Sequence, residues 1–234
     1  MLSGLLLEVA VHHVQDVRGA QDGGADRLAL VAPSETAGLS PDVAAASAVL
    51  RATDLPVRVM LRLNDSTTTT GGEFTRLVGL AEEYLSLGAE GVVFGFLDAD
   101  LEIDVETCEA LARALPAVPW TFHRAIDSAL DPRRAWRQVK HLPGLTAVRS
   151  GGSPQGLAHG YDDLLALATA DPDVARLLMP AGGLLAEHVP WFARAGVTQF
   201  HVGVQVRPGQ SYKSYVDAGF VRSWRTLLDS APAR

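Results

Sequence analysis

The chain has 234 residues, 47% hydrophobic and 20% charged, and its 20 Lys and Arg against 27 Asp and Glu give a formal net charge of −7. That acidic balance argues against a partner such as a nucleic-acid backbone. The single cysteine excludes an intramolecular disulfide framework or a Cys-rich metal cluster within one chain.

The first residues, Met1 to Leu7, are apolar but carry no basic residue, and they meet Glu8 before a signal-peptide core could form. No window approaches the ~18–20 apolar residues of a membrane span. A cytoplasmic, reducing setting without a membrane partner is therefore expected. Short β-rich runs then alternate with stretches of helical period. The predicted strands are Leu5 to Val11, Arg27 to Val31, Val57 to Arg62, Gly91 to Gly95, Val118 to Phe122, Leu145 to Arg149, Leu177 to Pro180 and Gln199 to Val202. The predicted helices are Val14 to Gln21, Pro41 to Arg51, Gly72 to Leu87, Val105 to Ala114, Pro132 to His141, Tyr161 to Thr169, Leu185 to Ala195 and Val216 to Asp229. Gly24, Gly88 and Gly196 each stand between a helix and a strand, where a glycine closes a helix without a Cβ clash. Ser40-Pro41 and Asp131-Pro132 each read as a capping side chain before a proline in the first turn.

Strands alternating with helices imply a parallel sheet, and eight such units in a chain of this length fit an α/β fold, a closed (β/α)8 TIM-type barrel over 1–234 as one domain. The rival is an open doubly wound sheet, which would usually carry a glycine-rich turn after its first strand. Here His12-His13-Val14-Gln15 follows that strand, so the barrel is favoured.

In such a barrel the chemistry lies at the C-terminal ends of the strands. Glu8, Ala10 and His12 share one face of the first strand. A carboxylate inside an apolar strand must be paired, protonated or functional, because burying it alone costs several kcal/mol. Glu8 is thus either a structural ion pair, with Arg27 or Arg62 as partner, or a site carboxylate. Arg62 at the exit of strand three could clamp an anion with its planar fork. Arg27, at the start of strand two, is placed by position on the stability face.

His123 leaves strand five and could act as acid, base or metal ligand; Asp127, four residues on, could orient it or cap a turn. Ser150-Gly151-Gly152 and Ala181-Gly182-Gly183 leave strands six and seven, and such turns let backbone N–H groups approach an anion. Ser150, Gly151, Gly152, Gly182 and Gly183 are the resulting anion-site candidates. His201 ends strand eight in a position parallel to that of His123. The candidate catalytic set is Glu8, His123, Asp127 and His201, and the candidate metal ligands are His12, His123 and His201.

Other chemistry is disfavoured. Lys140 and Lys213 both lie off the strands, which argues against a Schiff base. Cys108 falls on the fourth helix, where packing is the better reading. His13, His141, His159 and His188 read as surface residues near loops or helix ends.

With these residues in view, the sequence resembles the CutC family, named for copper homeostasis. The resemblance is carried by Gly24-Ala25-Asp26-Arg27, Gly38-Leu39-Ser40-Pro41, Gly91-Val92-Val93-Phe94-Gly95 with Leu97-Asp98-Ala99-Asp100, and Thr121-Phe122-His123-Arg124-Ala125 with Asp127. The glycine exits of strands six and seven and Phe200-His201-Val202 follow in order, so the likeness runs from about Leu6 to about Val202. It implies a TIM-type barrel and cytoplasmic copper handling, with copper(I) held on cysteine sulfur in some members. Where many members carry cysteines after the first-strand glutamate this chain has Ala10 and Val11, and in strand two it has Ala29 and Val31. The third-strand exit is Arg62-Leu63-Asn64 in place of an Arg-Pro-Arg-like run. Three readings stand: a copper homeostasis protein with copper as a candidate ion that the cysteine content does not support, an enzyme doing acid–base chemistry on a small anionic or phosphorylated molecule, or a barrel that has lost its chemistry and serves as a binding or scaffold protein. A homo-oligomer is expected from the prevalence of symmetric assemblies.

Overall fold

The computed structural model describes residues 4–33 and 38–231. Eight strands run β1 (Leu6–Val11), β2 (Arg27–Leu30), β3 (Val57–Met60), β4 (Gly91–Phe94), β5 (Trp120–Phe122), β6 (Leu145–Ser150), β7 (Leu178–Pro180) and β8 (Gln199–Val202). Every paired neighbour is parallel, in the order β7-β6-β5-β4-β3-β2-β1-β8. β7 returns alongside β8, and the Gln199 amide crosses that seam to the carbonyls of Thr146 and Arg176 at 3.1 and 3.4 Å. Eight parallel strands with helices between them form the near-closed (β/α)8 barrel that the alternation predicts.

The helices are α1 (Val14–Gly23), α2 (Val43–Leu50), α3 (Gly71–Ser86), α4 (Val105–Ala114), α5 (Pro132–Val139), α6 (Leu157–Ala170), α7 (Pro172–Leu177), α8 (Val189–Ala195) and α9 (Ala218–Ser230). α6 starts at Leu157, ahead of the predicted Tyr161, and the short α7 is an added turn, capped by Asp171 with Pro172 at its start. Asp131-Pro132 opens α5 as expected, but Ser40-Pro41 does not open α2. Asp42 caps that helix, while the Ser40 hydroxyl accepts from the Arg62 N–H at 2.8 Å. His13 is exposed as expected and caps α1, whereas His188 departs from a surface role and is buried with its ring stacked on Tyr161. Among the described residues no helix is long and apolar enough to cross a membrane.

Strand alternation sorts the side chains into two layers. Leu7, Val9, Leu28, Leu30, Val59, Val92, Phe94, Trp120, Phe122, Val148, Leu178, Phe200 and Val202 belong to the large apolar core beneath the helices. Inside the barrel the buried apolar side chains are Ala10, Ala29, Val31, Met60, Val93, Ala147 and Met179. The rest of that inner layer is polar, with Glu8, Arg27, Arg58, Thr121, His123 and Arg149 all buried. A barrel interior is usually filled by branched aliphatic residues. Here a charged network takes their place.

Candidate functional site

Glu8 is the centre of that network. Its side chain is 0% exposed, and its Oε1 accepts from Arg149 Nη2 at 2.6 Å, Arg149 Nε at 2.9 Å and His201 Nδ1 at 2.8 Å. Its Oε2 accepts from Arg27 Nε at 2.7 Å. The contact with Arg27 follows from register, because Glu8 and Arg27 are partners across β1 and β2. Likewise Glu8 and His201 are partners across β1 and β8. Burial opposes ionisation of Glu8, but Arg149 and Arg27 outweigh it and hold the carboxyl well below the usual carboxylate range. Two guanidiniums share one carboxylate, so the cluster (+2 − 1) carries a net charge of +1.

Lower in the barrel, Arg58 is anchored by Glu90 at 2.9 Å and by the Thr121 and Thr146 hydroxyls, each at 2.7 Å. It is thereby tied to the N-terminal end of the strands. Above Glu8, at the C-terminal end, a cavity of about 250 Å³ opens. Its walls include His12, His123, Arg124, Arg149, Gly182, Gly183, His201 and Tyr212, with Ala10, Val31 and Met60 as apolar floor and side.

The partners of each histidine assign its proton. His201 Nδ1 faces a carboxylate, which only accepts, so Nδ1 carries the hydrogen and Nε2 keeps the lone pair. His123 Nδ1 accepts the Ala125 N–H at 3.1 Å, so the neutral ring bears its hydrogen on Nε2. His12 Nδ1 lies 2.9 Å from the Val31 carbonyl and therefore donates, which leaves Nε2 as an acceptor. Burial, and then Arg149, push His201 down to about 4 despite its bond to Glu8. Burial, and then Arg62, push His123 down to about 3. Both rings are neutral at pH 7, and the fixed positive charge of the cavity comes from arginine.

Arg149 was not among the residues expected at the site. Its Nε and Nη2 are committed to Glu8 while its side chain lines the cavity. Arg124 is the second cationic wall. Its Nε is 2.8 Å from Asp127 Oδ2, and its Nη2 donates to the Ser153 carbonyl at 3.0 Å. Gly182, at φ +78, makes room for it: a Cβ there would lie 2.6 Å from Arg124 Cζ.

Other expected residues fall elsewhere. Asp127 does not orient His123; it accepts from Arg124, from the Ser150 hydroxyl at 2.6 Å and from the Gly151 N–H at 2.9 Å. Ser150 and Gly152 line a separate cavity between α5 and α6, as does Asp127. The glycine at 152 serves packing, since a Cβ there would lie 2.3 Å from the Gly160 carbonyl of α6. Arg62 turns away from the mouth to its own loop, with Nη2 donating to the Asp65 carbonyl at 2.7 Å, and it lines a small cleft beside Ser66 and Glu73. Of the anion-site candidates, Gly182 and Gly183 face the cavity; of the others, Glu8 supports it from below and His12, His123 and His201 line it.

A second buried ion pair frames the mouth. Arg207 grips both oxygens of Asp16, at 3.0 and 2.8 Å, and also donates to the carbonyls of Ala10 and Ser214. Asp16 in turn accepts from the His12 and Val216 N–H groups. This pins the segment that follows β8 to α1 and sets the Tyr212 ring edge-on to His12, 4.8 Å between centroids.

Copper(I) prefers thiolate and thioether donors. Cys108 is buried on α4, its thiol pushed up to about 12 by burial, and it does not line the cavity. Met60 is the sulfur residue in the cavity wall. Among the described residues no group of three or more His, Cys, Asp or Glu side chains is placed to hold a metal ion. This donor set, flanked by two arginines, does not fit a copper(I) ion.

Residues 5–206 match the family model described as the CutC family. The CutC family protein of Klebsiella pneumoniae subsp. pneumoniae is 30% identical over 197 residues, which span 84% of this chain and 78% of that protein. The human copper homeostasis protein cutC homolog is 30% identical over 207 residues, 85% of this chain and 73% of its own. Among solved structures, a copper homeostasis protein CutC from Streptococcus agalactiae superposes with a TM-score of 0.72 at 23% identity, covering 85% of this chain and 98% of that one. A phosphoribosyl anthranilate isomerase from Thermus thermophilus shares the barrel with a TM-score of 0.64 at 19% identity, over 97% and 99% of the two chains.

Proposed function

The chain belongs to the CutC family of copper homeostasis proteins, and from that premise we propose that its working site is the barrel-mouth cavity, used on a small anionic molecule rather than on a copper ion. The observation that carries this reading is the sharing of Glu8 between Arg149 and His201. Arg149 presents positive charge to the cavity from a site where water is scarce, so its attraction for an anion is weakly screened. Arg124 and the His123 Nε2–H add donors on the same side. His201 offers the opposite chemistry, a lone pair on Nε2.

That pairing supports an acid–base step. His201 Nε2 takes a proton from the bound molecule and returns it, while Glu8 holds the ring in the productive tautomer and faces the imidazolium that forms. A conjugate acid near 4 is a weak base for neutral pH. A bound anion corrects this, because negative charge beside the ring favours its protonated form. The anion thus prepares the base that acts on it.

A thermal-shift titration of the whole chain tests the proposal, with inorganic phosphate, organic phosphates and carboxylates in one arm and copper(I) under reducing conditions in the other. Saturable stabilisation by an anion, lost in Arg149→Lys, is the expected result. Tight copper(I) binding with no anion response would overturn it.

A further inference from the structure

The inference deepens that reading and rests on it: we propose that the anion carries a hydroxyl near its charged group, and that His12 is the residue that selects for it. His12 lines the same cavity as Arg149 and His123. Its Nδ1–H is spent on the Val31 carbonyl at 2.9 Å, which leaves Nε2 as an acceptor. That Nε2 is buried and has no hydrogen-bond partner. Buried acceptors are nearly always satisfied, so one left open on a cavity-lining residue marks where a ligand donor belongs.

The ring is held in place. Tyr212 packs against it edge-on, and the Asp16 carboxylate takes the His12 N–H at 2.8 Å. The orientation of Nε2 is therefore built in.

The donor is a neutral hydroxyl rather than an ammonium. Arg207 lies close enough to His12 to depress its basicity, and Arg149 and Arg124 line the same cavity. A second positive charge on the ligand would be repelled by all three. The apolar patch of Ala10, Val31 and Met60 suits a short carbon skeleton between charge and hydroxyl. The class is a small hydroxylated organic anion, either a hydroxy acid or a polyol phosphate.

Isothermal titration of the full chain with two matched pairs tests this: lactate against propionate, and glycerol 3-phosphate against n-propyl phosphate, at constant ionic strength. In the pair that binds, the hydroxylated member should be favoured by about tenfold, the contribution of one net hydrogen bond. In His12→Phe that preference should vanish, the two members of the pair binding alike. His12→Leu, which is smaller than phenylalanine and carries no polar group, provides the same comparison if the phenyl ring fills the cavity or the variant fails to fold. Equal binding within the pair, or a preference that survives both substitutions, would overturn the role of His12 and leave the anion site standing. Binding of none of the four would remove the anion site as well. The pair that responds distinguishes carboxylate from phosphate.

Discussion

Arg149 and Glu8, 141 residues apart in the chain, meet at 2.6 Å inside the barrel, and neither side chain is more than 6% exposed. The pair ties β6 to β1 across the interior and leaves the carboxylate shared with Arg27 and His201. Both the stability of the barrel and the charge of its mouth depend on it.

Glu8→Gln keeps the shape of the side chain and removes its charge. Arg27 and Arg149 are then buried without a counter-ion, a change that typically costs about 3–5 kcal/mol. Urea unfolding should show a lower midpoint with an unchanged slope. A midpoint equal to the wild type would mean that the two arginines find other compensation.

Much of this arrangement was legible in the sequence. The strand boundaries could be read because glycines and capping residues bracket short apolar runs. Glu8 stood out because a charge interrupts one of those runs. The same criterion applied to Val57-Arg58-Val59 and to Val148-Arg149-Ser150 identifies Arg58 and Arg149, which position at a strand start or end had hidden. Arg27 looked remote because it opens β2, yet strand register sets it opposite Glu8. The fit of Arg207 to Asp16, 191 residues away, and the placing of Tyr212 over the mouth follow from packing after β8, where no periodic pattern exists to read.

Acid should unfold the protein in two stages. A free histidine titrates near 6.5, whereas the fold holds His201 near 4 and His123 near 3. Between those limits the unfolded chain binds more protons than the native one, so stability falls as pH drops from about 6.5 to about 4. Glu8, depressed below its ordinary 4.5, adds a further loss at lower pH as its native carboxylate is protonated. Denaturant midpoints measured from pH 8 to pH 3 check this, and His201→Gln should flatten the first stage.

The two glycines of the strand-seven exit should behave differently. Gly182 and Gly183 both have positive φ, so alanine strains either one by about 1–2 kcal/mol. At Gly183 the added methyl meets nothing within 4 Å, but at Gly182 it meets the Arg124 guanidinium. Gly182→Ala should therefore weaken anion binding beyond its effect on stability, and Gly183→Ala should not. Calorimetric titration of both variants with the same anion separates them.

Arg62→Met should act on the loops its guanidinium ties, the β2–α2 connection at Gly38 and the β3–α3 connection at Asp65 and Ser66. Its guanidinium bonds the carbonyls of Asp65, Ser66 and Gly38. Loss of those bonds should cost about 1.5–3 kcal/mol, the contribution of hydrogen bonds made by a charged group. Anion affinity at the mouth should stay within a factor of about two, because the side chain does not reach that cavity.

The central claim is that burial and Arg149 keep His201 neutral while Glu8 fixes its hydrogen on Nδ1, leaving the Nε2 lone pair free for a bound anionic molecule. Nitrogen-15 NMR of the histidine side chains reads tautomer and titration together. The account predicts an Nδ1–H tautomer for His201 from pH 8 down to about 5, and a rise in its pKa when a binding anion is added. An Nε2–H tautomer, or an imidazolium already present at pH 7 without an anion, would contradict it.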